Sequence, residues 1–264
     1  MAFNRELNKK LYALGLHSFD EVRKLIGEKV DSKASDYYGD TPLHYAAESG
    51  KLEVVKHLIE EEGCDVATMN TYGSTPLHRA ALCGYLNIVD YLVENGADFA
   101  VNDNYDRTPT HSAAEGGHLD IVKYLIEKGF DLKATENGSL TPMHGAAYNN
   151  HLEVLKYLIE QGGNVNATNR GGWSALHETA DQGHLNVVQY LIENGAKVDA
   201  VNIIGYTPLH EAAEKGKLEV VKYLIEKGSN FKIAARNGHI PLNLAILAGH
   251  SNIVEYFEVM RYNY

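Results

Sequence analysis

The sequence predicts an all-α solenoid of stacked helix–turn–helix repeats joined by β-turn fingers. Three observations predict it. First, the quartet Thr-Pro-Leu-His stands at Thr41–His44, Thr75–His78 and Thr207–His210, with variants at Thr108–His111, Thr141–His144, Ser174–His177 and Ile240–Asn243. The first step is 34 residues and each later step is 33, a period that signals a repeat architecture. Second, each quartet is followed by an apolar stripe at helical spacing, such as Leu86, Ile88, Val89, Leu92 and Val93. Third, glycines punctuate the units at Gly73, Gly84 and Gly96.

Within the unit Thr71–Asp103, Gly73 marks a turn and Thr75-Pro76 opens a short helix, with proline in the first turn where its missing N–H costs nothing. Ala80 and Ala81 allow close approach of a neighbouring helix, and Gly84 ends the helix in the left-handed conformation. The stripe then forms a second helix that Asn95-Gly96 stops. Such a unit cannot bury both its faces, and stacking copies makes a continuous core. Asp106 and Ser139 replace the turn glycine; aspartate tolerates positive φ, and Gly138 shifts the other turn by one residue. The first copy carries an extra residue in Glu60–Gly63, read as a longer helix end. The expected organisation is a single domain over 1–264. It comprises a degenerate N-terminal capping repeat (1–36), six full repeats (37–235) and a C-terminal capping repeat (236–264). Phe19–Ile26 aligns with Leu52–Ile59 except that Glu21 replaces Val54, and Ser251 and Glu258 replace Leu218 and Ile225, giving terminal repeats a wettable outer face.

These residues resemble the ankyrin-repeat family over about 37–264, and the period and quartet are its sequence signature. The resemblance implies an ankyrin-repeat α-solenoid whose quartet histidines bond to backbone between adjacent turns. It also implies partner binding through turn tips and the exposed side of the first helices, which together line a concave face. Matched position by position, the implied partner-binding residues are Tyr37, Tyr38 and Tyr45; Tyr72 and Arg79; Tyr105 and Arg107; Tyr148; Arg170, Trp173, Glu178 and Asp181; Ile204, Tyr206 and Glu211; and His239. Tyr72, Tyr105, Trp173 and Tyr206 are expected at corresponding tips, with Trp173 the strongest anchor, because exposed Tyr, Trp and Arg dominate binding hot spots. Tyr91, Tyr124, Tyr157, Tyr190, Tyr223 and Tyr256 recur at one second-helix position and read as packing. Asn166, in Gly-Gly-Asn-Val-Asn-Ala, resembles the pattern that an asparaginyl hydroxylase of animal cells uses in this family, although Asn164 stands where the usual aspartate would be.

The chain carries 24 basic and 35 acidic residues, a net charge of −11. That disfavours nucleic acid, whose binding needs phosphate neutralisation, and disfavours anionic membrane surfaces likewise. The acidic excess reads as solubility. Cys64 and Cys83 suit a reducing compartment; they fall at opposite ends of their repeats, about 12 Å apart along a helix and beyond disulfide reach. With no Sec-type leader or membrane span, a cytoplasmic monomer is expected, and delivery into a host cell would leave no readable mark.

Thirteen histidines invite a metal reading, and His210-Glu211-Ala212-Ala213-Glu214 and His177-Glu178-Thr179-Ala180-Asp181 approach a zinc motif. Both histidines belong to the quartet, and both motifs lack the second histidine, so no metal site and no cofactor are expected. Gly172-Trp173-Ser174 lacks the closing glycine of a nucleophile elbow. The functional expectation is a non-enzymatic protein–protein interaction scaffold for a protein or peptide. The alternatives are a targeting module of a larger enzyme or secreted effector, or an engineered repeat binder, against which the irregular turns and degenerate caps argue.

Overall fold

The computed structural model describes residues 32, 34–132 and 140–263, with side chains through residue 260. The N-terminal cap expected over 1–36, the alignment at Glu21 and the shifted turn at Ser139 therefore lie almost wholly outside the described residues. The chain divides between Asp131 and Leu132 into two compact units. The first holds α1 (Pro42–Glu48), α2 (Leu52–Glu60), α3 (Pro76–Cys83), α4 (Leu86–Glu94), α5 (Pro109–Gly116) and α6 (Leu119–Glu127). The second holds α7 (Pro142–Tyr148), α8 (Leu152–Glu160), α9 (Ala175–Gln182), α10 (Leu185–Glu193), α11 (Pro208–Glu214), α12 (Leu218–Glu226), α13 (Pro241–Ala248) and α14 (Ser251–Asn263). Among the described residues there is no strand beyond an isolated antiparallel bridge between Thr168 and Ser174. The fold is the all-α repeat solenoid that the period predicts.

Each first helix starts the same way. Thr75 takes an extended N-cap conformation, and its N–H donates to His78 Nδ1 at 3.2 Å while Thr75 Oγ1 lies 2.9 Å from the same nitrogen. Nδ1 is therefore an acceptor, which leaves the proton on Nε2, and Nε2 donates to Arg107 O of the next finger at 3.0 Å. One side chain thus caps its own helix and ties two repeats. The bond recurs from His44 to Ser74 O at 3.0 Å, from His144 to Trp173 O at 2.9 Å and from His177 to Tyr206 O at 3.1 Å. Burial pushes all of these imidazoles below their ordinary value, His177 to about 4, so the neutral form persists. In the last repeat Asn243 keeps only the local half, its Oδ1 accepting from Ile240 N–H at 3.0 Å.

A second histidine series closes the other end of the first helices. His118, His184 and His250 place Nε2 within 2.9, 2.9 and 2.8 Å of Leu82 O, Tyr148 O and Glu214 O, each 36 residues earlier. Gly84 makes room for this contact: a Cβ there would stand 2.4 Å from the His118 ring. Asn150 fills the equivalent left-handed position at φ 64.

The core follows the stripe. Ala80, Ala81, Leu77, Ile88, Val89 and Leu92 are fully buried, and their counterparts in the other repeats are buried too, except in the last, where Ile246 is exposed and Val254 half-buried. Paired alanines let first helix pack on first helix, α1 on α3 on α5 and α7 on α9 on α11 on α13, more extensively than the second helices pack on one another. The second-helix tyrosines are half-buried, and two bridge repeats: Tyr91 Oη donates to Glu60 and Tyr124 Oη to Asp90, both at 2.7 Å.

Two details differ from expectation. The extra residue at Glu60–Gly63 does not lengthen the helix, since α2 has nine residues like α4. It enters the turn, where Cys64 N–H reaches back to Leu58 O at 2.9 Å instead of making the five-residue closure of Ala97 onto Leu92. The last repeat exposes Ser251 and Glu258 as expected, but also Ile246, Leu247 and Val259, so its outer face is mixed in character.

Candidate functional site

The fingers are built by a residue that the sequence reading passed over. In five of them, an Asp or Asn three positions before the turn residue accepts two backbone N–H groups. Asn70 Oδ1 takes Tyr72 N–H at 2.9 Å and Ser74 N–H at 3.0 Å, and Asp103 Oδ1 takes Tyr105 N–H at 2.8 Å and Arg107 N–H at 3.0 Å. Asp36, Asn169 and Asn202 do the same. The recurrence Asp36, Asn70, Asp103, Asn169, Asn202 was the available signal. Neighbouring fingers then bond to one another, Thr71 N–H to Tyr38 O at 2.8 Å and Asn104 N–H to Tyr72 O at 2.9 Å. At Gly73, with φ 74, a Cβ would approach Asn104 Oδ1 to 2.7 Å, and Asp106 takes the same left-handed position at φ 60.

In the first unit these fingers hold a row of exposed rings. Tyr37, Tyr38, Tyr72 and Tyr105 are 76, 49, 42 and 57% exposed. Tyr38 stacks on Tyr72 with centroids 6.3 Å apart, and Tyr37 meets Tyr38 edge-on at 5.3 Å. Beside the row lies a depression of about 230 Å³ bounded by Tyr72, Tyr105, Arg79, Arg107, Leu82 and Glu115. Both arginines are internally matched. Arg79 lies 3.0 Å from Asp40 and 3.7 Å from Glu48. Arg107 lies 2.9 Å from Asp103 and 3.1 Å from Glu115, with its guanidinium 5.2 Å from the Tyr105 ring centre. Tyr45 is half-buried and donates its hydroxyl to Asp36 at 2.8 Å; burial, reinforced by that carboxylate, raises its phenol.

The second unit corrects several expectations. Trp173 and Tyr206 do not correspond to Tyr72 and Tyr105. They stand one residue after the turn glycine, in the register of Ser74 and Arg107, where the finger returns toward its helix. Trp173 is half-buried with its ring 5.9 Å from His177. Tyr206 is 9% exposed, stacked on His210 at 5.2 Å and packed with Ala235 and Leu244. Leu244 covers it because the last repeat has leucine at the first-helix position that is Glu211 one repeat earlier. Glu211 is itself only 2% exposed and accepts from Asn202 Nδ2 at 3.3 Å. Of the second-unit positions named in the sequence, Ile204, Arg170 and Tyr148 are exposed, whereas Asp181 and His239 are partly covered. Ile203 joins Ile204 at the tip of its finger.

Glu178, Asp181 and Glu211 come together on the first-helix face. Burial, and then Asp181, push Glu178 up to about 7. Burial, and then Asp181 and Glu214, push Glu211 up to about 8, against the opposing pull of Lys215. Lys215 Nζ lies 3.6 Å from Asp181. His177 and His210 spend both ring nitrogens on their quartet bonds, which leaves neither imidazole a nitrogen for a metal. Asn166 is likewise engaged: its amide donates to Gly195 O at 2.9 Å and accepts from Lys197 N–H at 2.8 Å, an inter-repeat tie that Asp199 repeats with Ser229 and Asn230. Neither cysteine is in a disulfide, and the Cys64 thiol donates to Ser32 O at 3.3 Å. No helix among the described residues is long and apolar enough to cross a membrane.

Comparison with known proteins agrees with this geometry. No curated protein matches the chain. The family model described as ankyrin repeats (3 copies) matches residues 11–103, 62–136, 99–169, 133–202 and 198–258. These overlapping matches run through nearly the whole sequence, on the same repeats whose fingers, quartets and paired helices the structure shows. The chain therefore belongs to the ankyrin-repeat family.

Proposed function

We propose that this chain is a non-enzymatic protein-interaction scaffold, monomeric and cytoplasmic, that binds a protein or peptide through its finger tips and the exposed side of its first helices. Ankyrin repeats are in general protein–protein interaction modules. One observation carries the reading to particular residues. Exposed large side chains recur at finger tips, Tyr37, Tyr38, Tyr72 and Tyr105 in the first unit and Ile203 and Ile204 in the second, beside others on helices at Tyr148, Ile246, Leu247 and Val259. A core position explains none of the finger residues, whereas Tyr and neighbouring Arg are the types that anchor interfaces. The quartet histidines His44, His78, His144 and His177 are committed to their ring bonds, and two cysteines outside any disulfide suit a reducing setting.

The test is capture of partners on the wild-type chain beside Tyr72→Ala/Tyr105→Ala, Ile203→Ala/Ile204→Ala and a control, Lys156→Ala/Gln189→Ala, on the second helices. Loss of a partner with a finger variant but not with the control supports the reading. Partners retained equally by all the variants would refute it.

A further inference from the structure

The tyrosine row of the first unit offers one kind of chemistry to a ligand. Its backbone is already paired: finger N–H groups are taken by Asn70, Asp103 and the preceding finger. A partner adding as a β-strand would find no ladder to join. Its cations are already matched, Arg79 by Asp40 and Glu48, Arg107 by Asp103 and Glu115, so a charged motif would have to break ion pairs to dock. What remains is the solvent-facing parts of four rings, which already touch one another at Tyr37–Tyr38 and Tyr38–Tyr72 and touch Arg107 at Tyr105, and four phenol hydroxyls that make no hydrogen bond among the described residues. The depression of about 230 Å³ beside Tyr72 and Tyr105 falls short of the ~300–1,000 Å³ typical of small-molecule pockets and suits a single side chain.

We infer that this row binds a proline-rich, uncharged peptide segment in the polyproline II conformation, with pyrrolidine rings against Tyr37, Tyr38, Tyr72 and Tyr105. The match is one of hydrogen-bond sense as well as shape. A polyproline II segment makes no internal hydrogen bonds, so its carbonyls are open acceptors, and at each proline it has no N–H needing an acceptor. The row supplies phenol hydroxyls, which can donate to such carbonyls and can also accept, together with apolar ring surface. A helix uses its carbonyls internally, and a strand needs donors and acceptors in alternation. The angled pair Tyr37–Tyr38, at 82°, and the stacked pair Tyr38–Tyr72 together form a ridged surface on which successive prolines can seat. The segment loses little entropy on binding because its backbone is already extended.

This inference rests on the interaction reading above, and the test separates the two. The full chain is titrated with decaproline, with a glycine–serine decapeptide, and with decapeptides of glutamate and of lysine, followed by amide and aromatic NMR shifts. Decaproline is expected to shift Tyr37, Tyr38, Tyr72, Tyr105 and the finger amides around them. Tyr72→Ala/Tyr105→Ala should weaken it by about tenfold or more, and Ile203→Ala/Ile204→Ala should leave it unchanged. Tyr105→Phe, which keeps the ring and removes a donor, should weaken it in part. Equal binding of the glycine–serine peptide, or tighter binding of a charged decapeptide at these tyrosines, overturns the proline-rich assignment and leaves the row as an interaction surface. Absence of shifts from decaproline up to millimolar concentration overturns the inference, and a row that no peptide and no captured partner touches overturns the wider reading as well.

Discussion

Replacing Glu211 by Gln should make the second unit more stable, by an amount that depends on pH. Glu211 is enclosed between α9 and α11, faces Asp181 and Glu178, and has an uncharged partner, Asn202 Nδ2 at 3.3 Å. Its carboxyl ionises near 4.5 ordinarily and near 8 in the fold, mainly because burial penalises the charged form. The folded state therefore holds the proton more tightly than the unfolded state. That contribution is fully present below about pH 4.5 and is lost as pH rises through about 8. At pH 7 the unfolded chain has released the proton and the fold has not, a cost on the order of 3 kcal/mol to the native state. Glutamine has the shape of the protonated acid, retains an acceptor for Asn202, and carries no proton to lose. The gain is large against a typical total stability of about 5–15 kcal/mol.

The assay is urea unfolding of wild type and Glu211→Gln near pH 5, 7 and 9, with helix circular dichroism and Trp173 fluorescence as separate probes. Two probes are needed because repeat arrays need not unfold in one step. Near pH 5 the two proteins should agree within about 1 kcal/mol, and the variant should gain as pH rises toward about 8. Asp181→Asn should lower the Glu211 value and capture part of the same gain, so the double variant should fall short of additivity. An equal gain at every pH would show that the carboxylate is not buried as described. A loss at every pH would show that the carboxyl proton makes a bond that glutamine cannot replace.

Other consequences can be measured alongside. His177→Ala removes the acceptor for Ser174 N–H and the donor to Tyr206 O and should cost about 3 kcal/mol by denaturant unfolding. Because burial holds His177 down to about 4 against an ordinary 6.5, its contribution is present above pH 6.5 and lost as pH falls through 4, so acid unfolding should begin in that window and shift in the variant. Trp173→Ala should cost about 1–2 kcal/mol by thermal unfolding, since the ring is half-buried against His177; no change in stability would place it free in solvent. Asn166→Ala should cost about 1–2 kcal/mol and speed hydrogen exchange at Lys197, whereas unchanged exchange would deny the inter-repeat tie.

Repeat order was legible because each structural duty falls on a residue type with few substitutes. Proline at the first helical position, paired alanines at the close contact and glycine at positive φ recur at one interval, and the exceptions are chemically apt: Asp106 and Asn150 are among the few residues that tolerate the left-handed region. The quartet histidine was legible only through resemblance. Its Nδ1 bond is local, but its Nε2 bond joins residues 29 to 30 positions apart, so no local pattern announces the tie between repeats. The finger-closing Asp and Asn were readable in principle, but Glu136 and Ala235 interrupt their recurrence and hide it among other polar turn residues.

Exposure within a finger was the least legible property, and the cause lies in the stacking. Tyr105 and Tyr206 are both tyrosines in fingers, yet two positions of register separate a ring in solvent from a ring against His210. Register alone does not decide the matter either. Arg107, in the same register as Tyr206, stays partly exposed because its guanidinium turns to Asp103 and Glu115, while Tyr206 is covered by Leu244 of the following repeat. What a finger side chain shows to a partner thus depends on the first-helix residue one repeat later. It follows that Leu244→Glu, which restores the residue type of Glu211, should uncover Tyr206 without any change in the finger itself. A rise in the solvent accessibility of the Tyr206 ring, read by NMR, would bear this out, and a ring that stays shielded would show that His210 stacking alone keeps it buried.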